Sequence, residues 1–259
     1  DCYNGAVGCT MLNYNNNVAN SENVTVTNCV FTVSTPNANV APINGHNNVS
    51  GTFGTITIAG CTFNGFTNTA TMFACNHASS IVMTNPTFVD SFGISVTALA
   101  NAGAGCTFTV TGGTWTNSLA GQKGISVSVV SVPLSVDGMT FNCDATSIGG
   151  IVFLGANSTL SVTNCIFKSS LSTGNRFAIY AQNCATGNLT LNNNTYHTGT
   201  QSWTQHYQFQ ATASGMTWAS DFNTFEATND SWSIFGTAYS TLATYQAAVA
   251  PNDANSVSI

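Results

Sequence analysis

Leu160-Ser161-Val162-Thr163-Asn164-Cys165-Ile166-Phe167 is the stretch whose reading decides the fold. Its first half alternates apolar and hydroxyl side chains, the period-two pattern of a strand with one buried and one wet face. Asn164 then supplies a residue that tolerates the left-handed backbone of a sharp corner. Beyond it a second extended segment turns Cys165 and Phe167 inward and Ile166 outward. The same arrangement recurs at Asn28-Cys29-Val30-Phe31, Gly60-Cys61-Thr62-Phe63, Asn85-Pro86-Thr87-Phe88, Gly112-Gly113-Thr114-Trp115, Gly138-Met139-Thr140-Phe141, Asn193-Asn194-Thr195-Tyr196 and, more loosely, Phe222-Asn223-Thr224-Phe225. The aromatic returns every 25 to 32 residues. A period of that size, with strand composition inside it, means one supersecondary unit stacked on copies of itself.

Working outward from the corner gives one coil. The strand before it places Val26, Ile58, Met83, Val110, Val136, Val162 and Leu191 in a buried column, beside a wet column of Thr25, Thr57, Val82, Thr109, Ser135, Ser161 and Thr190. A third apolar segment lies between modules, as in Gly124-Ile125-Ser126-Val127, Ile151-Val152-Phe153, Ala178-Ile179-Tyr180 and Tyr207-Gln208-Phe209. Three strands and three corners per turn predict an all-β, right-handed parallel β-helix (solenoid) of about eight to nine coils with a C-terminal cap. The expected division is an N-terminal lead-in over 1–22, the β-helix over 23–239 and a capping segment over 240–259. Leu242, Tyr245 and Val249 are expected to cover the last coil, with Asp253-Ala254-Asn255 closing it. Asp1 to Ser21 reads as a Gly- and Asn-rich loop, so the N-terminal edge is expected to be covered by a preceding segment or by a neighbouring subunit.

On these repeats, and on the closing run Ser240-Thr241-Leu242-Ala243-Thr244-Tyr245-Gln246-Ala247-Ala248 followed by Asn252-Asp253-Ala254-Asn255-Ser256-Val257, the chain resembles exported right-handed parallel β-helix proteins, the pectate-lyase-like superfamily in its broad sense. The resemblance spans about residues 14 to 235. It implies the fold far more than an activity, because that scaffold carries lyases, hydrolases, isomerases, adhesins and phage spikes alike. Polygalacturonase relatives would be expected to carry Asn-Thr-Asp, Asp-Asp, Gly-His-Gly and Arg-Ile-Lys signatures. Here Gly45-His46-Asn47 and Arg176-Phe177-Ala178 are the nearest approaches, and the first two signatures are missing. Pectate lyases would be expected to show a catalytic Arg and an acidic calcium cluster. The only Arg is Arg176, and acidic residues gather only at Asp221, Glu226 and Asp230. Both departures argue against inheriting either activity.

Composition narrows the partners. Only 5% of residues are charged, three basic against nine acidic, which speaks against nucleic acid or an anionic membrane surface. No apolar run approaches the length of a membrane span, so no membrane insertion is expected. A nearly charge-free, hydroxyl-rich solenoid suits an extracellular or cell-surface location, with self-association or polysaccharide as the expected partners. Nine cysteines leave at least one unpaired within the chain. Cys29, Cys61 and Cys165 fall in the inward column as small hydrophobes; Cys2 and Cys9, across a Gly-containing loop, are the disulfide candidates. No Cys/His cluster has metal-ligand spacing, and no metal or other cofactor is expected.

One outward column carries the chain's best candidate for chemistry. The residue after each aromatic reads Thr32, Asn64, Val89, Thr116, Asn142, Lys168, His197 and Glu226, so Lys168, His197 and Glu226 fall in consecutive coils. Such a row can bind a uronate carboxylate, take a proton from the adjacent sugar carbon and return one to the leaving oxygen. As bland surface it is a ladder of offsetting charges worth little. Asp90 and Asp144, two coils apart, have a spacing compatible with inverting glycosidase carboxylates. Trp203, Trp218 and Trp232 are candidate sugar-stacking aromatics, against a competing reading as core or cap packing. Regular Thr columns also invite an ice-binding reading, but Val82 and Ile166 interrupt the wet face. The expected function is an extracellular structural or adhesive solenoid, a component of a surface, fibre or matrix; the alternative is a carbohydrate-active enzyme, a polysaccharide lyase before a glycoside hydrolase.

Overall fold

A computed structural model describes residues 9–16, 23–37, 40–47, 53–67, 73–75, 78–91, 93–95, 107–119, 121–127, 133–143, 149–153, 159–169, 177–184, 186–197, 205–226 and 231–259. The chain is a parallel β-solenoid, and the only α-helix among the described residues is Leu242–Val249. A first sheet stacks eight strands in chain order, from Val24–Thr27 and Phe53–Ala59 to Asn188–Asn192 and Thr217–Asp221. A second stacks Val30–Asn37 through Thr224–Phe225 and ends on Val257–Ser258, nine strands in all. The third face is divided into a three-stranded sheet, Cys9–Asn16 with Val40–Asn47 and Phe73–Cys75, and a seven-stranded one beginning at Ile94–Ser95. Within each sheet the strands pair in parallel with their counterparts one coil away, save the antiparallel Thr237–Tyr239, and the strand number differs from face to face because the ends are finished differently.

The expected N-terminal loop is corrected here. Cys9–Asn16 is a strand, paired in parallel with Val40–Asn47 in the register Cys9 to Val40. Its Asn-rich sequence lacks a clean alternation. What makes it a strand is the ladder partner, and strand formation is set more by neighbours than by intrinsic preference.

The interior follows from the period-two pattern. Val26, Ile58, Met83, Val110, Val136, Val162 and Leu191 lie opposite one another in successive coils, all buried. A parallel column runs Ile56, Ile81, Phe108, Leu134, Leu160 and Leu189 and ends on Trp218. Each corner is left-handed, with φ of 53° at Asn28, 61° at Gly60, 49° at Asn85, 65° at Gly112, 70° at Gly138, 54° at Asn164 and 57° at Asn193. At Phe222 the corner keeps that geometry, φ 56°, with an exposed aromatic that pays the steric cost Asn or Gly avoids.

Beyond the corner the aromatics form one continuous column in register, Phe31, Phe63, Phe88, Trp115, Phe141, Phe167, Tyr196 and Phe225. All are fully buried except Phe31, which is half-buried at the first rung. Phe141 and Phe167 stack at 4.8 Å, Phe167 and Tyr196 at 5.0 Å, and Tyr196 and Phe225 at 5.0 Å. The Trp115 indole donates to Ser91 O at 2.9 Å, which satisfies its one polar atom. The rings need room from the third face: a Cβ on Gly124 would meet the Phe141 ring, and one on Gly150 the Phe167 ring. Those glycines are positions of close approach rather than of flexibility.

The C-terminal end is closed by three devices. Val257–Ser258 pairs along Thr224–Phe225 and covers the edge of the second sheet. Thr237–Tyr239 folds back antiparallel on Trp232–Ile234 at the end of the third face. The helix Leu242–Val249, capped by Thr241 Oγ1 accepting from Thr244 N at 3.2 Å, lays Tyr245 over the core, stacked on Trp232 at 4.9 Å. Leu242 and Val249 pack beside it, partly buried. No helix among the described residues is long and apolar enough to cross a membrane.

Candidate functional site

The second sheet turns the residue after each aromatic outward, so its register decides which polar groups meet. Thr116 lies opposite Asn142, Asn142 opposite Lys168 and Lys168 opposite His197. Glu226 continues the row, its N–H bonded to Tyr196 O at 3.1 Å. Successive members are therefore roughly one strand spacing, ~4.8 Å, apart. Asn142 Nδ2 donates to Thr116 Oγ1 at 3.1 Å, and Lys168 is exposed.

His197 Nδ1 and Glu226 Oε1 lie 2.7 Å apart. An ionised Glu226 favours the tautomer that carries its proton on Nδ1, which leaves Nε2 as the basic ring nitrogen. The side chains are 35% and 28% exposed, so water screens the pair and its contribution to stability is small. Its chemical content is orientation: a carboxylate-held imidazole with an ammonium side chain one rung away.

The other candidates fare differently. Trp232 is buried, stacked on Tyr245 and edge-on to Phe225 at 5.1 Å, so it presents no ring face to a sugar. Trp218 is half-buried, edge-on to Phe209 at 5.2 Å, and continues the interior column. Trp232 is corrected from sugar-stacking to cap packing, because the last coils need large apolar groups where the stack stops, while Trp218 packs partly buried against the same core. Trp203, Cys2, Asp144, Arg176 and Asp230 lie outside the described residues. Cys9 begins the first strand, and its expected bridge to Cys2 falls outside them too. Asp90 Oδ1 accepts from Ser118 N and Ser118 Oγ, both at 2.7 Å, which ties one coil to the next.

Cys61 and Cys165 are buried as expected, and burial pushes the Cys165 thiol up to about 12. Cys29 departs from expectation: it is exposed, because no described coil lies above it. In the last coils the same inward position holds Asn194 and Asn223, both buried. Asn194 Oδ1 accepts from Cys165 N at 2.9 Å and its Nδ2 donates to Val162 O at 3.0 Å. Asn223 Oδ1 accepts from Asn194 N at 2.8 Å, and Asn223 N donates to Ser256 Oγ at 2.8 Å.

That ladder ends on Asp253, a fully buried carboxylate. Its Oδ1 accepts from Asn223 Nδ2 at 2.9 Å and Ser256 Oγ at 2.6 Å, and its Oδ2 from Tyr245 Oη at 2.6 Å. Such a group is tolerable inside only when its oxygens are met. Burial, with the Asp253 charge adding to it, pushes the Tyr245 hydroxyl well above the ordinary phenol range, so it stays a donor. Sequence reading placed Asp253 in the closing segment but missed this network, whose only signal was the change from Cys to Asn at the inward corner.

Compared with known proteins, the chain matches no family model, no curated protein and no solved structure.

Proposed function

We propose that the chain is an extracellular structural or adhesive β-solenoid, a surface, fibre or matrix component that presents long polar faces to other copies or to polysaccharide. The observation that carries this reading is the continuity of the outward columns. Thr25, Thr57, Val82, Thr109, Ser135, Ser161 and Thr190 lie opposite one another through seven coils of the first sheet. Several carboxylates are meanwhile engaged in holding coils together: Asp90 on Ser118, Asp137 Oδ1 on Thr163 Oγ1 and Asn164 Nδ2, and Asp221 on Asn255. A hydroxylated sheet in continuous register suits repetitive hydrogen bonding to a regular polymer. The likeness to exported β-helix proteins supports the same reading. Light scattering and electron microscopy of the purified chain, with co-sedimentation on insoluble polysaccharides, test it. Ordered assemblies or saturable co-sedimentation are expected; a monodisperse monomer that binds none of the polymers retires it.

A second reading rests on Lys168, His197 and Glu226 lying in consecutive coils with the 2.7 Å His–Glu pair. As a polysaccharide lyase, Lys168 would hold a uronate carboxylate while His197 removed the proton beside it. Incubation with a panel of uronate polymers, read by absorbance of unsaturated products, is the test. Activity abolished by His197→Ala supports the lyase; an inactive parent chain across the panel ends it.

A further inference from the structure

The first two described corners set one thiol directly over another. Cys29 follows the left-handed Asn28 and Cys61 the left-handed Gly60. The ladder is in register on both sides of them, Thr27 opposite Ala59 and Val30 opposite Thr62. Across the corner itself Asn28 N donates to Ala59 O at 2.8 Å and Thr62 N to Cys29 O at 2.9 Å. The two cysteines therefore face each other in adjacent coils with a backbone separation of roughly 4.8 Å, inside the about 4.4–6.8 Å that a disulfide spans. Their thiols lean the same way, Cys29 Sγ toward Thr27 O at 3.3 Å and Cys61 Sγ toward Ala59 O at 3.5 Å, two acceptors that are themselves opposite one another. Both are free thiols; Cys29 is exposed and Cys61 fully buried. Burial raises the Cys61 thiol above its ordinary value, and the Cys29 thiol beside it contributes further. Cys143, by contrast, lies opposite Asn117 and Ser169, and Cys165 follows Met139 and precedes Asn194 in its column.

We propose that Cys29 and Cys61 are a redox-controlled staple, closed by a low-molecular-weight disulfide into a bond between neighbouring coils. In the first step the Cys29 thiolate attacks one sulfur of the small disulfide. That S–S bond breaks, Cys29 carries one half as a mixed disulfide, and the other half leaves as a thiolate and takes up a proton. In the second, Cys61 gives its proton to solvent and attacks Cys29 Sγ, and the remaining half departs as a thiol. Two protein thiols are oxidised by two electrons while one small disulfide is reduced to two thiols. The steps are unequal because the attacking species is the thiolate: exposed Cys29 reacts first, and burial keeps Cys61 protonated and slow. The bond closes a loop of one whole coil at the end of the stack where Val30 is 72% exposed and the aromatic column begins.

Oxidised glutathione added to the full chain, followed by acid quenching, alkylation and peptide mass mapping, tests the proposal. Near neutral pH a Cys29–glutathione adduct is expected to accumulate and convert to a Cys29–Cys61 cross-link. The conversion should run about tenfold faster for each pH unit added while Cys61 remains protonated. The cross-linked chain should melt a few degrees above the reduced one. C29S should abolish both the cross-link and that rise while leaving the reduced melting temperature unchanged, since Cys29 is exposed. C61S should trap the adduct on Cys29; should that variant fail to fold, the C29S comparison decides alone. An adduct on Cys29 that never resolves in the parent chain even at alkaline pH, or a link from Cys29 to any other cysteine, overturns the proposal.

Discussion

The middle coils and the last two coils solve the same corner differently. Around Met139 and Cys165 the inward position is apolar, and each coil offers the next the surface it received from the one before. Burial and ring packing then suffice, since every rung has an apolar neighbour of the same kind on either side. From Asn194 onward the position turns polar, and a chain of hydrogen bonds runs through Asn223 and Ser256 to Asp253. There the stack is about to lose its neighbour, and backbone groups that a further coil would have met must be met by side chains. The solenoid is held by sameness within and by a single non-repeating network at its end.

The largest effect should come from breaking the sameness. Phe141→Ala removes a fully buried ring stacked on Phe167 and flanked by the tilted Trp115 indole, and should cost about 3–5 kcal/mol in denaturant unfolding. Phe31→Ala, at the half-buried first rung, should cost distinctly less; equal costs would mean the column is not continuous. Carrying the middle-coil solution into the end is the next test. Asn194→Cys leaves the Cys165 N–H without its acceptor and trades the amide donor to the Val162 carbonyl for at most a weak thiol one, and should cost about 1–3 kcal/mol, although the same residue is comfortable one coil earlier.

Acid should loosen the end before the middle. Burial raises the Asp221 pKa, but the amide donors of Asn255 and Phe222 more than offset this and hold it below the ordinary carboxylate range. A depressed folded value means stability that is present above about pH 3.9, the unfolded value, and is lost as pH falls through the folded one. Asp221→Asn should therefore melt below the parent at neutral pH, with the gap closing on acidification; a gap constant with pH would break the assignment. The smallest effect is expected at the surface row, where His197→Ala should change stability by under about 1 kcal/mol because the pair with Glu226 is screened.

What could be read from the sequence is what repeats. Asn or Gly recurs at seven corners, and the returning aromatic recurs eight times with the alternating strands beside it, so one misread coil is outvoted by the rest. The Lys168, His197 and Glu226 row was legible for the same reason, since equal offsets become neighbours once coils stack. Features that occur once were not. The strand Cys9–Asn16 depends on a partner at Val40–Asn47 that no local pattern announces. Trp232 looked available to a ligand because nothing in its neighbourhood reveals that Tyr245 covers it. Asp253 needs donors from Asn223, Tyr245 and Ser256, three contacts that exist only after the cap has folded back.

Amide hydrogen exchange read by mass spectrometry, on the parent chain and on Asp253→Ala, tests most directly the claim that the end is closed by its own network. In the parent, Asn188–Asn192 and Thr217–Asp221 should be as protected as Leu134–Asp137 and Thr159–Thr163. In Asp253→Ala the last two strands should exchange at least about tenfold faster, a loss of about 1.4 kcal/mol or more in local stability, while the middle strands stay as they were. Uniform protection in both chains, or rapid exchange of the last coils in the parent, would contradict it.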